Sequence, residues 1–230
     1  MTQTRRERIR TETIDEIKST AWKQVAEQGA ASLSLRAIAR EMGMTAPGLY
    51  RYYKDRDALV TALLMDAFIS FGDALESARN EYDKNDHVGS FRAISKAYFQ
   101  WAADNPQKYL FLFGTPVPGY QFAPELGESA QRSFLALQGV IGEAYKAGKI
   151  TGELATLRLP TSLKSQYDAL KKMGLPYVPL VTHLALYAWS MMHGMTSLFI
   201  YGYLTGFLGD QVETFIDVEI EKTIRVLGLE

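Results

Sequence analysis

The sequence predicts an all-α fold, and three observations support that prediction. Apolar residues recur at steps of three and four along nearly the whole chain, which is the period of a helix with one buried face. Residues that cap or end helices stand between these segments. No segment alternates apolar and polar residues in the manner of a half-buried strand. With 230 residues, 47% of them hydrophobic, the chain is long enough to bury a sizeable core.

Three helices are predicted before residue 56. The first has an apolar stripe at Ile14, Ile17, Ala21 and Val25, and Gly29 ends it. Ser34 is placed to cap a short second helix, whose apolar face is Leu35, Ile38, Ala39 and Met42. Gly43 interrupts the pattern, and Thr45 can cap a third helix that tolerates Pro47 in its first turn. Leu49 and Tyr53 form the inward face of that third helix.

The rest of the chain predicts longer helices. Asp55 caps a fourth helix from about residue 57 to 81, and a fifth stops at Asn105-Pro106. A short helix and a loop from Gly114 to Pro124 follow, and helix returns from about residue 125 to 147. The last two helices are expected at about residues 181–207 and 210–227. Residues 148–179 give no clear pattern.

Residues 34–53 have the layout of a helix-turn-helix. A small turn residue, here Gly43, lets two short helices cross steeply and presents the second helix to the major groove. The outward face of the second helix offers Thr45, Ala46, Gly48, Arg51 and Tyr52, and Lys54 and Arg56 follow at its exit. An ordinary pair of packed helices is the alternative. Three tyrosines and an arginine within four residues are awkward to bury, because each polar group needs a partner.

Charge is unevenly distributed along the chain. Residues 1–57 contain 11 lysines and arginines against 8 aspartates and glutamates, a net charge of +3, whereas the whole chain carries −1. The basic excess begins in an N-terminal arm at Arg5, Arg6, Arg8 and Arg10. Such an arm can neutralise phosphates and make DNA binding sensitive to salt. A solvated helix start explains the same residues equally well.

The motif from Ser34 to Leu59 resembles the DNA-binding domain of the TetR family of repressors, with a match over roughly residues 8 to 62. The glycine turn matches Gly43, the Leu-Tyr and aromatic pair match Leu49 to Tyr53, and the basic-acidic exit matches Lys54 to Leu59. The resemblance implies that Ser34 and Arg36 contact DNA from the second helix. It places Thr45, Ala46, Pro47 and Gly48 nearest the bases. It assigns Tyr50, Tyr52, Lys54 and Arg56 to phosphates, with Arg51 free to reach either.

The remaining chain resembles a subgroup with a Trp-x-x-x-His-Gly signature, here Trp189, His193 and Gly194. An Asn-Pro-x-x-Tyr-x-x-x-Phe pattern from Asn105 to Phe113 points the same way. The resemblance implies a DNA-binding domain at residues 1–56 and a helical ligand-binding and dimerisation domain at residues 57–230. Homodimerisation would use the last two helices. Candidate effector-binding residues are Phe68, Phe71, Tyr98, Trp101, Phe111, Phe122, Trp189, Met192 and His193, and plain core packing is the alternative for each of them.

The expected function is a bacterial, cytoplasmic transcription regulator without a cofactor. A small apolar or aromatic effector would release it, as a repressor, from a palindromic operator. The chain has no cysteine, and its three histidines have no metal-binding spacing, so neither a metal site nor catalysis is expected.

Two other classes of protein remain as alternatives to a transcription regulator, namely a membrane-anchored regulator and a helical binding protein. The uncharged segment from Met173 to Gly209 is long enough to span a membrane, but its prolines and histidines favour a helix buried in the protein or in a dimer interface. A helical binding protein with a vestigial DNA head is the other. The run Arg51, Tyr52, Lys54 and Arg56 argues against it, because no core requires those residues.

Overall fold

The computed structural model describes residues 4–171 and 178–230, and it confirms the all-α prediction. The helices are α1 (Arg5–Gln28), α2 (Leu35–Glu41), α3 (Ala46–Tyr50), α4 (Arg56–Asn80), α5 (His87–Asp104), α6 (Pro106–Phe113), α7 (Gly127–Lys146), α8 (Gly152–Ala155), α9 (Thr161–Lys171), α10 (Pro179–Ile200), α11 (Tyr203–Leu208) and α12 (Val212–Leu227). Within the described ranges no strand forms, and one isolated antiparallel bridge joins Ile150 to Leu229.

Local capping chemistry sets the N-terminal helix boundaries close to where the sequence predicts them. The Ser34 hydroxyl accepts a hydrogen bond from the Ala37 amide, which starts α2. Thr45 caps α3 in the same way, and the Asp55 carboxylate accepts from the Ala58 amide at 2.8 Å as α4 begins. Gly29 ends α1 at a φ of 81°, a left-handed value that glycine adopts without strain.

The prediction of one helix over residues 181–207 is wrong, because the helix breaks near residue 201. α10 ends at Ile200, and Gly202 follows with a φ of 79°, which interrupts the helix before α11. The unassigned segment 148–179 contains α8 and α9. Met173 and Pro176, at the start of the uncharged segment, lie outside the described residues.

The chain divides into two compact units. The first comprises Met1–Phe68 and Asn105–Ser129, and the second comprises Ile69–Asp104 and Ala130–Glu230. The first unit therefore includes α6 and its following loop in addition to the three N-terminal helices. The predicted boundary at residue 56 separates a DNA-binding domain from a ligand-binding domain, and it is a different division from that into compact units. It stays a prediction.

Each unit has its own core. In the first, α1 packs against α2 and α6, α2 packs against α3, and Ile17 and Leu49 are fully buried. In the second, α5 packs against α10 and α12, and its buried residues include Phe91, Ile94 and Tyr98. Ion pairs between helices of the second unit join Arg132 to Glu76 and Arg92 to Glu221.

In the described part of the chain, one helix, α4, is long and apolar enough to cross a membrane, judged by its length and composition alone. Half of its most apolar window is buried inside the protein, and the core helix of a soluble protein passes the same test. This is weak evidence for a membrane span.

Candidate functional site

The two short helices α2 and α3 form the predicted helix-turn-helix within the first unit. Gly43 lies in the turn with a φ of 66°, a conformation that a residue with a side chain rarely adopts. The buried Gln24 side chain accepts a hydrogen bond from the Ser34 amide at 2.9 Å, which ties α1 to the start of α2. Sequence reasoning missed Gln24, since a single polar residue at a helical spacing gives no signal of burial.

The outer surface of α3 and its exit presents most of the predicted DNA-contacting side chains. Thr45, Pro47, Tyr50, Arg51 and Lys54 are exposed, with Tyr50 at 43%. The predicted residues Ala46, Gly48 and Tyr52 are half-buried, as is Ser34, whereas Arg36 on α2 is exposed. This surface offers hydroxyl, guanidinium and ammonium groups, which are the groups that bind phosphates and base edges.

Gly48 lies against the Thr45 cap at the start of α3. The Thr45 hydroxyl accepts a hydrogen bond from the Gly48 amide at 3.2 Å. A Cβ atom at position 48 would come within 3.1 Å of that hydroxyl oxygen. The caps at Ser34 and Asp55 form with alanine at the equivalent position, so the cap itself does not need a glycine. Gly48 keeps this turn of the helix free of a side chain, so that backbone can approach a ligand closely.

Tyr53 differs from its two neighbouring tyrosines. It is buried beside Leu49 in the core, and burial raises the pKa of its hydroxyl to about 12, with Asp66 and Asp15 adding a smaller effect. Tyr50 stands exposed, and the Arg10 guanidinium lies over the Tyr52 ring, 5.2 Å from its centroid. The three tyrosines thus divide between packing and surface roles.

Arg5 and Arg6 lie in the first turn of α1 rather than in an arm that precedes it. A capping box at Thr4 and Glu7 starts the helix there, and hydrogen bonds from Thr4 lower the pKa of the Glu7 carboxylate. Glu7 offsets the unfavourable placement of two arginines at the positive end of the helix dipole. Both arginines are exposed, so their side chains are accessible to phosphates.

Arg56 is held by backbone carbonyl groups of the first unit. Its guanidinium donates to the carbonyls of Ala30, Ala31 and Leu33, between α1 and α2, at 3.1–3.3 Å. It also donates to the Pro118 carbonyl at 3.1 Å, in the loop after α6. Four hydrogen bonds leave one of its five N–H groups for any other acceptor. The expected phosphate contact stays a prediction, and the geometry adds a structural role that sequence reasoning missed.

Five of the predicted effector-binding residues lie together in the second unit. The Phe71 ring contacts Tyr98 at 4.9 Å and Trp101 at 4.7 Å between centroids. The Tyr98 hydroxyl lies 3.0 Å from Nδ1 of His193, on which Trp189 stacks at 5.3 Å. We call these five residues the aromatic cluster. Met192 is buried on α10, and the Trp101 indole donates to Ser70, which sequence reasoning missed.

The other three predicted effector residues belong to the first unit. Phe68 and Phe122 meet edge to face at 6.3 Å, and Phe111 meets Trp22 at 5.1 Å. Phe122 is 57% exposed, in the loop that also supplies Tyr120, whose hydroxyl lies 2.9 Å from that of Thr61. The nine candidates therefore divide between two compact units.

A cavity of about 320 Å³ opens elsewhere in the second unit, between α5 and α12. Phe99 and Ile216 supply apolar walls, and the ion pair of Lys96 with Asp217 closes one side at 2.8 Å. None of the predicted effector residues lines this cavity. In the part of the chain that the structure describes, no group of three acidic or histidine side chains is arranged to hold a metal ion.

His193 gives the aromatic cluster a pH dependence. Burial lowers the pKa of His193, so the unfolded chain binds the proton more tightly than the folded protein does. The resulting stability is present above about pH 6.5, the ordinary value for an unfolded histidine, and is lost as the pH falls through the lower folded value.

We therefore expect the free energy of unfolding to decrease from pH 7 to pH 5, and to decrease less in His193→Gln. Urea unfolding at several pH values measures it, with His183→Gln on the same helix as the control. If the free energy of unfolding decreases equally in His193→Gln and His183→Gln, His193 is not the source of the pH dependence.

The fold and the surface of α3 define a helix-turn-helix transcriptional regulator. The family model for bacterial regulatory proteins of the tetR family matches residues 17–63, and that for the tetracyclin repressor-like C-terminal domain matches residues 91–223. An HTH-type transcriptional regulator of Mycobacterium bovis is 31% identical over 210 residues, covering 90% of this chain and 88% of the relative. One from Mycobacterium tuberculosis has the same identity and coverage. The chain belongs to the TetR family, whose members are DNA-binding transcriptional regulators and not enzymes.

Solved structures share the fold over nearly the full chain. A protein described as regulatory, SCO4313, is 34% identical with a TM-score of 0.78, covering 96% of this chain and 99% of that one. A regulatory protein of the tetR family from Rhodococcus has a TM-score of 0.66, covering 95% and 98% of the two chains. At 16% identity, the second likeness concerns the fold alone.

Proposed function

We propose that this protein is a cytoplasmic bacterial repressor that binds a palindromic operator as a homodimer and leaves it when a small apolar or aromatic effector binds. The observation that carries the proposal is the exposed surface of α3 and its exit, which presents Tyr50, Arg51 and Lys54 beside the buried Leu49 and Tyr53. Packing of the core does not need those exposed groups, whereas binding to the phosphates of a DNA backbone uses them.

The individual roles proposed on the DNA are those that the family resemblance implies. Thr45, Ala46, Pro47 and Gly48, at the start of α3, lie nearest the bases. Ala46 and Gly48 offer no side-chain hydrogen bonds, so Thr45 and Arg51 supply most direct readout. Ser34 and Arg36 contact the DNA from the start of α2. The predicted phosphate contacts come from Arg5, Arg6, Tyr50, Tyr52, Lys54 and the remaining N–H of Arg56.

Release by an effector is a linkage between two binding equilibria. A dimer presents two recognition helices to successive major grooves, about 34–36 Å apart. An effector that binds better to a dimer whose recognition helices have another spacing weakens DNA binding. DNA weakens effector binding by the same factor. The aromatic cluster supports an effector site in the second unit, because it combines apolar rings with polar atoms of Tyr98 and His193. The other candidate effector-binding residues are Phe68, Phe111, Phe122 and Met192.

Operator binding tests the proposal, and we expect Arg51→Ala and Tyr50→Ala to weaken it. Loss of a base contact by Arg51 costs about 1–3 kcal/mol, or roughly tenfold to more than a hundredfold in affinity. Loss of one phosphate contact at Tyr50 weakens binding to all sequences to a similar extent. Mobility shifts with the intergenic DNA upstream of the gene, over a series of salt concentrations, measure both effects.

Matched controls separate these effects from general loss of charge or aromatic surface. The exposed fraction of Tyr145, 40%, is similar to that of Tyr50, and Arg158 is exposed like Arg51. Both control residues lie in the second unit. Tyr145→Ala and Arg158→Ala should bind operator like the wild type. If the wild type binds neither upstream DNA nor any site selected from random sequences, the DNA head is vestigial and the proposal fails.

A further inference from the structure

A row of ion pairs joins α5 to α12 within the second unit. Arg92 donates to both carboxylate oxygens of Glu221, and the Lys96 ammonium lies 2.8 Å from the Asp217 carboxylate. The residue numbers rise by four along α5 and fall by four along α12, so the two helices run antiparallel. Residues four apart lie on the same face of a helix, one turn from each other. The pairs therefore follow one another at a spacing of one helical turn.

The next position in this row has an acidic residue but no basic one. Four residues further along each helix, the register brings position 100 to position 213, and both residues line the cavity between α5 and α12. Position 100 is a glutamine, whose side-chain amide donates to Asp104 at 3.0 Å. Within residues 4–171 and 178–230, the Glu213 carboxylate has no cationic partner. The register thus places a carboxylate that lacks its cation beside the cavity.

The lining of the cavity combines an apolar wall with a net negative charge. Phe99 and Ile216 line it and are themselves buried, and the Phe99 ring packs against a second phenylalanine, Phe199, at 4.8 Å between centroids. Of the charged side chains in the lining, Lys96 is positive, whereas Asp217 and Glu213 are negative. The Lys96 ammonium is already paired with Asp217. One negative charge is therefore left without compensation.

Size also limits what the cavity can hold. Its volume of about 320 Å³ is at the lower end of the range for ligand pockets, which suits a small molecule of about one ring. None of the five residues of the aromatic cluster is in the described lining of this cavity. The cavity is therefore separate from the effector site proposed above.

We infer that this cavity binds a small organic cation, a primary amine with an apolar body, whose ammonium pairs with Glu213 and completes the row of ion pairs. An ammonium donates charged hydrogen bonds to a carboxylate, which are stronger than those between neutral groups. The apolar body of the amine contacts Phe99 and Ile216. An anion would meet the uncompensated negative charge, and a neutral apolar molecule would take water from the carboxylate without replacing its hydrogen bonds.

Binding of benzylamine to the full-length protein tests this inference, because benzylamine joins one ammonium group to one aromatic ring. Isothermal titration calorimetry should show saturable binding to the wild type. Glu213→Gln should weaken that binding at least tenfold, since it removes a charged hydrogen bond. Benzyl alcohol has nearly the same shape without the charge, and it should also bind at least tenfold more weakly than benzylamine.

Three further variants locate the amine. Glu153→Gln removes the same charge from a residue that is exposed, lies in the first turn of α8 as Glu213 does in α12, and has no cationic partner among the described residues. This variant should bind benzylamine like the wild type. Gln100→Lys supplies the missing cation from the chain itself and should weaken benzylamine binding at least tenfold, because its ammonium competes for Glu213. Gln100→Ala leaves Glu213 without a partner and should retain binding. Circular dichroism shows whether each variant is folded.

Each other result would overturn the inference. If Glu213→Gln or Gln100→Lys binds benzylamine as tightly as the wild type, the amine binds elsewhere in the protein. If benzyl alcohol binds as tightly as benzylamine, the cavity does not select a cation. If benzylamine does not bind to the wild type at tens of millimolar, Glu213 is only an exposed acid at the start of α12. None of these measurements involves DNA, so the operator-binding experiment tests the proposed repressor function independently.

Discussion

Replacing Arg56 with alanine is expected to destabilise the first compact unit by about 2–3 kcal/mol. The guanidinium donates to the carbonyls of Ala30, Ala31 and Leu33, in the connection that leads into α2, and to the Pro118 carbonyl. Alanine removes four charged hydrogen bonds together and leaves these carbonyl groups without their guanidinium donor, although the Ala30 carbonyl still accepts from the Leu33 amide. The estimate is below the sum of four separate bonds because part of the site is exposed.

Urea unfolding measures this effect, and two further substitutions show its cause. Arg56→Lys should recover less than half of the loss, since one ammonium group cannot reach carbonyls arranged around a planar guanidinium. Arg36→Ala, on the exposed surface of α2, should leave stability within about 0.5 kcal/mol of the wild type. Arg36→Ala should nevertheless weaken operator binding. A stable Arg56→Ala protein with weak, less salt-dependent DNA binding would instead favour the phosphate contact as the main role of Arg56.

Local signals predicted the helix-turn-helix well because the interactions that form it are local. Ser34 and Thr45 cap helices through amides three residues away, and Gly43 supplies a left-handed turn that few other residues adopt. These interactions depend on neighbours in the sequence, which the printed chain shows directly. Leu49 and Tyr53 are both buried as predicted, but α3 ends at Tyr50, so Tyr53 reaches the core from beyond the helix and not from its inward face.

Contacts between distant residues could not be predicted from spacing. Arg56 and the Pro118 carbonyl are 62 residues apart, and basic residues at the exit of α3 predict phosphate binding whether or not their N–H groups are occupied. The grouping of the effector candidates also depends on such contacts. Phe68 and Phe71 are three residues apart on α4, yet Phe68 contacts Phe122 in the first unit and Phe71 contacts Tyr98 in the second.

The uncharged segment shows which information the sequence lacked. Absence of charge is shared by membrane spans, core helices and dimer interfaces, so composition could not choose among them. The structure separates the two sides of α10, with Ala188 and Met192 buried and Leu198 exposed. The helix break near Gly202 also lacked a clear signal, because glycine within an apolar run is tolerated in a helix at a cost of about 1 kcal/mol.

Phe71→Ala is expected to have the largest effect on stability, a loss of about 3–5 kcal/mol. Phe71 is fully buried in the aromatic cluster, against Tyr98 and Trp101. Truncation removes the apolar surface of the ring and leaves a cavity that Tyr98 cannot fill while its hydroxyl stays near His193. Phe71→Leu keeps most of the volume and should cost less than about 1.5 kcal/mol. Phe122→Ala, at a largely exposed ring, should cost less than about 1 kcal/mol.

Urea unfolding of Phe71→Ala with and without indole extends this test to the proposed effector site. A cavity lined by apolar side chains stays dry and binds small aromatic molecules, so indole should raise the stability of Phe71→Ala more than that of Phe71→Leu. A loss below about 1 kcal/mol in Phe71→Ala would show that the cluster is loosely packed. An effector could then enter at little cost. The expected large loss means instead that any effector must replace the packing it displaces, which favours a flat, apolar molecule with one polar group near His193.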